Sequence, residues 1–219
     1  MKPLRMLLLA LVLPLAACDE TRFTADPLGE ARACEPGLAG TWRIEDDGDG
    51  APEYVHLEPD CNLRLLRAAP GGEGGLDLDA IARRTVALSP SIGRIDGTLY
   101  LSLTDEDFHR AADDEGGDTG HPEASGGFHV YRIELRGESA QLRGVDHRAV
   151  AHALIDGKLN GQVRKDDEGL KNLVQVDEAA GRALLRERWL FRRDQPLRLQ
   201  RVRAEDLPPG IRRQVGAQP

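Results

Sequence analysis

The chain has 219 residues and a formal net charge of −8; 40% of it is hydrophobic and only 4% aromatic. That length suits one folded domain with a real core, and the acidic balance excludes nucleic acid as a partner, because phosphates need a basic face. With 24 Gly and 13 Pro, the core must rest on Leu, Val, Ile and Ala, joined by glycine-rich turns.

At the amino end, Lys2 and Arg5 precede an apolar run from Met6 to Ala17. Twelve apolar residues fall short of the ~20 that span a bilayer, but they suit the core of a signal peptide over residues 1–17. The run ends Leu15-Ala16-Ala17-Cys18, which resembles the lipobox of bacterial lipoproteins. The resemblance implies cleavage between Ala17 and Cys18, a diacylglyceryl group on the Cys18 thiol and, usually, acylation of the new amino terminus. Two or three acyl chains give a durable anchor where one holds only marginally. An ordinary secretory signal, with Cys18 an incidental thiol, is the alternative. Loss of Lys2 and Arg5 would move the charge of −8 by two, to about −10. Asp19 resembles the inner-membrane retention signal of enteric lipoproteins. The expected address is therefore the cell envelope, facing the periplasm, with the inner membrane favoured and the outer membrane the rival. No cofactor is expected beyond the covalent lipid.

Residues 18–37 are polar, with Pro27, Gly29, Pro36 and Gly37, and read as the lipidated end and a flexible tether. With Cys18 linked to lipid, Cys34 and Cys61 remain as an even pair in an oxidising compartment, and a disulfide is expected. Two separate thiols are the alternative. Neither cysteine has Cys-x-x-Cys spacing, which argues against a zinc site built on them.

From residue 38 to 203 the dominant period is two. Val55 and Leu57, Leu63 and Leu65, and Leu99, Leu101 and Leu103 each alternate with polar or aromatic neighbours, as half-buried strands do. His129, Tyr131, Ile133 and Leu135 share one side of a longer strand. Gly137-Glu138 then supplies a type II′ turn, and Ala140 and Leu142 continue on the return. Two helices interrupt the strands. Asp146 caps one that Gly157 stops, and a second runs from about Asp177 to Arg188. Trp189 and Phe191, then Leu197 and Leu199, resume the strand pattern. Residues 204–219 read as a frayed tail. The expectation is a mainly β domain, a curled or closed antiparallel sheet with two short helices.

Gly40-Thr41-Trp42 resembles the Gly-x-Trp motif that opens lipocalin-like barrels. The resemblance implies a barrel floor plugged by Trp42 and overlaid by an arginine from a late strand, Arg201 or Arg203. The stretch from Phe128 to Val163 resembles a recurring pattern in uncharacterised bacterial envelope lipoproteins, which supports fold and address without naming a reaction.

Glu45, Asp47, Asp49 and Gly50 match the first, third, fifth and sixth places of a calcium loop, but Pro52 and His56 break the match, leaving an acidic hairpin tip. The segment 105–127 reads as an acidic, glycine-rich loop. It carries Asp107, His109, Asp113, Asp114, Glu115, Asp118, His121 and Glu123, and His129 follows. Imidazole and carboxylate could hold zinc, yet ordering such a chain costs ~1–2 kcal/mol per residue, so no metal ligand is nominated. His147 and His152 read as surface residues. The late arginines Arg186, Arg188, Arg192, Arg193, Arg198, Arg201 and Arg203 form a basic stripe, read as a solvated strand face, or else as a dock for anionic lipid or an acidic partner. No Gly-x-Ser-x-Gly, His-Glu-x-x-His or phosphate-binding glycine loop occurs, so no catalytic residue is nominated. The functional expectation is a non-enzymatic binding or accessory lipoprotein, with the membrane and a small hydrophobic ligand or an envelope protein as partners. A divalent-metal-binding protein and an envelope hydrolase are the alternatives.

Overall fold

The computed structural model describes residues 19–45, 52–67, 85–112, 126–166 and 169–216. The proposed signal peptide and Cys18 lie outside them, as do Asp47, Asp49, Gly50 and the acidic stretch 113–125.

Twelve strands among the described residues form one sheet. They are β1 (Glu20–Phe23), β2 (Gly40–Glu45), β3 (Glu53–Leu57), β4 (Leu63–Arg67), β5 (Thr85–Leu88), β6 (Ser91–Ile95), β7 (Thr98–Thr104), β8 (Phe128–Arg136), β9 (Ser139–Gly144), β10 (Gly161–Asp166), β11 (Gly169–Val174) and β12 (Leu197–Val202). Four α-helices accompany them: α1 (Asp105–Ala112), α2 (His147–Ile155), α3 (Glu178–Leu184) and α4 (Pro209–Gln214).

The strand order is β10-β11-β1-β8-β9-β12-β2-β3-β4-β5, with β7 on the other edge of β8 and β6 beyond it. Nine strands thus run from β5 through β2, β12 and β8 to β6. Laid flat at the usual strand spacing, its outer strands would stand about 38 Å apart. Yet β5 ends at Leu88 and β6 begins at Ser91, a gap that three residue steps bridge with at most about 11 Å of chain. The sheet must therefore curl until its two ends nearly meet. Trp42, Leu57, Leu88, Ile92, Leu99, Leu101, Ile133 and Leu199 accordingly share one core inside the curl.

The expectation of a curled β sheet holds; the two helices expected become four among the described residues, and the sheet itself needs two corrections. No ladder joins β5 to β6 among the described residues, so the sheet is not a closed barrel. It is also mixed rather than antiparallel, because β1 pairs parallel to β11, with Glu20 opposite Lys171 and Phe23 opposite Val174. The β1, β11 and β10 strands form a wing off β8. A second core on the opposite face of β8 gathers Phe23, Tyr100, Val130, Val150, Val174, Leu184 and Phe191, with contributions from α2 and α3.

The sequence signals for helix entry hold locally. The Asp146 carboxylate accepts from Ala149 N at 3.0 Å and that of Asp177 from Ala180 N at 2.8 Å, which satisfies amide donors that a helix start leaves free. Gly137 has φ +58 in the β8–β9 hairpin, as a type II′ turn requires at its first position.

Other expectations change. Residues 19–37, expected as a tether, carry β1 and the fully buried Phe23 and Leu28. The 105–127 segment, expected as a loop, opens with α1. The tail from 204 carries α4, and its Leu207 and Ile211 are buried against Tyr54 and Leu66. The helix from Asp177 stops at Leu184, and Arg188–Leu190 is a 3-10 turn rather than strand. No helix among the described residues is long and apolar enough to cross a membrane.

Candidate functional site

Alternation along β1 sends Glu20 and Arg22 to one face and Thr21 and Phe23 to the other. The Glu20 side meets α1, which springs directly from the end of β7. Thr104 Oγ1 accepts from Asp107 N at 3.1 Å, and Asp105, Glu106 and Asp107 fill the first turn, where the helix dipole favours negative charge. Asp105 and His109 are four residues apart and so share one helix face. The third contributor is His129 on β8, whose ring stacks on Phe108 with centroids 3.9 Å apart and planes 16° apart.

These side chains converge. His129 Nε2 lies 3.0 Å and His109 Nε2 3.5 Å from the same oxygen, Asp105 Oδ1. Glu20 Oε1 stands 3.8 Å from His129 Nε2. One donor atom each from Glu20, Asp105 and His109 falls within a 4.8 Å cluster. Asp105 is only 1% exposed, and Glu20 and His129 are buried with it.

Charge at the site is balanced from outside this group. Arg22 Nη1 holds Asp105 Oδ2 at 3.0 Å, its Nε lies 2.9 Å from Glu20 Oε1, and Lys171 Nζ lies 3.4 Å from Glu20 Oε2. Glu20 Oε1, though close to the Arg22 charge, accepts no hydrogen bond. Burial by itself would raise the Asp105 carboxyl, but the His129 hydrogen bond and the Arg22 charge outweigh it and hold the group below the ordinary carboxylate value. Tyr131 follows His129 on the same side of β8; burial, with the Glu20 charge added, pushes its phenol up to about 12.

Behind β1, Thr21 Oγ1 meets His147 Nδ1 at 2.9 Å and accepts from Asn172 Nδ2 at 3.0 Å. His147 is therefore an internal partner rather than the expected surface residue, whereas His152 is exposed. Cys34 and Cys61 form the expected disulfide, with Cα atoms 5.4 Å apart.

Of the residues weighed for metal from the sequence, the structure brings His109 and His129 together and turns Asp107 away, to Ser89 N and Arg110. Sequence reasoning missed Glu20, Arg22 and Asp105. The i, i+4 spacing of Asp105 and His109 was the available signal, hidden by reading that stretch as loop. The late arginines divide: Arg186 pairs with Asp96 at 2.6 Å and Arg201 lies over Trp42, while Arg188, Arg192 and Arg193 border one cleft.

Comparison with protein-family models, with curated proteins and with solved structures finds no match for this chain.

Proposed function

We propose that this chain is an exported bacterial lipoprotein, moored to an envelope membrane through Cys18, and that it acts as a binding protein rather than an enzyme. Its ligand is a divalent transition-metal ion held by Glu20, Asp105 and His109, with His129 orienting Asp105 through their hydrogen bond. The observation that carries the reading is the convergence of two imidazole Nε2 atoms on one buried carboxylate oxygen, with a second buried carboxylate beside them. A tetrahedral zinc site has bonds near 2.0–2.1 Å, which sets its donor atoms about 3.3 Å apart. The Asp105–His109 spacing of 3.5 Å is close to that value, and the whole Glu20, Asp105 and His109 group falls within 4.8 Å, so an ion would draw the group slightly inward. One imidazole nitrogen beside two carboxylate oxygens suits zinc better than calcium or magnesium, which favour oxygen alone. Arg22 and Lys171 neutralise the carboxylates before metal arrives, and Arg22 keeps Asp105 oriented through its outer oxygen.

Calorimetry of the purified mature chain with zinc should give one bound ion per molecule. The variants His109→Ala and Glu20→Gln should each weaken binding by ~10-fold or more, with circular dichroism unchanged. Absence of zinc-dependent heat would overturn the metal reading. The anchor is tested separately by palmitate labelling of cells expressing the wild-type chain or Cys18→Ser; equal labelling of both would refute it.

A further inference from the structure

A second site lies on the β8–β9 side of the sheet, away from the carboxylate–histidine group. Arg132 and Glu134 of β8, Arg143 of β9, and Arg188, Arg192 and Arg193 from the segment after α3 line a cleft of ≈ 400 Å³. Phe191 lies at its wall and is 4% exposed.

Five arginines and one glutamate thus line a single cleft in a protein whose net charge is −8. Glu134 cannot balance them: its Oε1 already receives Arg143 Nε at 3.1 Å, with Arg132 Nη2 at 4.0 Å, and Arg136 Nη2 stands 3.5 Å from its Oε2. Arg192 has the exposed Asp194 at 3.6 Å, while Arg188 and Arg193 form no ion pair among the described residues. Arg132 Nε is buried and makes no hydrogen bond, which leaves a donor of the kind folded proteins rarely leave unmatched. The rim is nevertheless held in place, because Arg143 Nη1 donates to Arg193 O at 2.7 Å and its Nη2 to Gln141 Oε1 at 3.1 Å.

We propose that this cleft binds a phosphorylated small molecule through its phosphoryl group. Guanidinium forks match phosphoryl oxygens in pairs, and the volume falls in the range of small-molecule sites rather than that of a bare ion. The same chemistry is offered by a free organic phosphate or pyrophosphate and by a phosphomonoester lipid headgroup such as phosphatidic acid.

Both sources can be presented to the mature polypeptide purified without its acyl chains: pyrophosphate in solution, and phosphatidylcholine vesicles with or without phosphatidic acid. Trp189, 37% exposed and next to Arg188, reports binding by its fluorescence. Saturable binding is expected to weaken with salt and to fall by ~10-fold or more when Arg188 and Arg193 are both changed to Gln. Both residues are exposed, so this variant should fold and bind zinc as before. Pyrophosphate binding alone would assign a free ligand, and vesicle binding confined to phosphatidic acid would assign the headgroup. No saturable response to either probe, or a response unchanged in the double variant, would overturn the proposal and leave the zinc reading untouched.

Discussion

The guanidinium carbon of Arg201 sits 4.2 Å from the centroid of the Trp42 ring, directly opposite it in the β2–β12 ladder. From that position Arg201 Nη1 donates to Ala39 O at 2.6 Å and Nη2 donates to Gly37 O, while Trp42 Nε1 donates to Leu38 O at 2.8 Å. The pair therefore ties the turn before β2 to the last strand. Gly40 makes room for it: φ is +123, and a Cβ there would lie 2.8 Å from Arg201 Nη1. Replacing Arg201 by Ala should cost about 2–4 kcal/mol, from the cation–π contact and two charge-assisted hydrogen bonds. Arg201→Lys keeps the charge but loses the fork, and should fall between. Urea denaturation of the three proteins checks the order; equal midpoints would contradict it.

This pair was half legible in the sequence: the Gly-x-Trp resemblance pointed at Trp42 and left Arg201 and Arg203 as partners, which lie on the same side of a strand, and only the β2–β12 register selects Arg201. The α2 start was legible for a similar local reason, the Asp146 cap. β1 was not. Its Glu20 is buried and its Arg22 partly buried by pairing with Asp105, Lys171 and each other rather than by being apolar, so a strand within the sheet reads as a polar tether. The candidate metal site shares that cause: its ligands come from β1 and α1, distant in sequence, and only the fold shows that Glu20 meets Asp105 and His109. The tail was misread differently, since Leu207 and Ile211 bury an apolar face too short to show a period.

The Cys34–Cys61 bond closes a separation of 27 residues and links the segment before β2 to the β3–β4 turn. On the chain-entropy account, a loop of that size contributes about 3–4 kcal/mol. The double variant Cys34→Ala, Cys61→Ala should lower the denaturation midpoint accordingly, and a reductant should do the same to the wild-type protein. A midpoint insensitive to both would mean that the cross-link adds nothing to stability.

Gly93 of β6 tests whether residues 29–33 are docked rather than loose. A Cβ at Gly93 would meet the Ala31 carbonyl oxygen at 2.0 Å, and Ala33 N donates to Ile92 O at 2.7 Å beside it. Gly93→Ala should therefore force the segment away and cost about 1–3 kcal/mol, as overpacking generally does. Hydrogen exchange at Ala33 should speed up in the variant. Unchanged stability and exchange would show that the segment is not seated on β6.

His147 makes stability depend on pH. Burial pushes its imidazole below the ordinary value of 6.5; Asp19 opposes this, Arg192 and His129 reinforce it, and Asp146 opposes it. Its Nδ1 faces the Thr21 hydroxyl, and its carbonyl accepts from Asn172 Nδ2 at 2.8 Å; among the described residues it forms no ion pair with a carboxylate. A histidine with a depressed folded value takes up its proton more readily in the unfolded chain. Its stabilising contribution is complete above 6.5 and is lost as pH falls below that value toward the folded one. His56, lowered by burial and by Arg64, acts in the same sense. Melting temperature should drop between about pH 7 and about pH 5, and His147→Gln should flatten the drop, with His56→Gln removing a further part. A melting temperature that rose on acidification through this window would show that the buried imidazole is stabilised in its charged form.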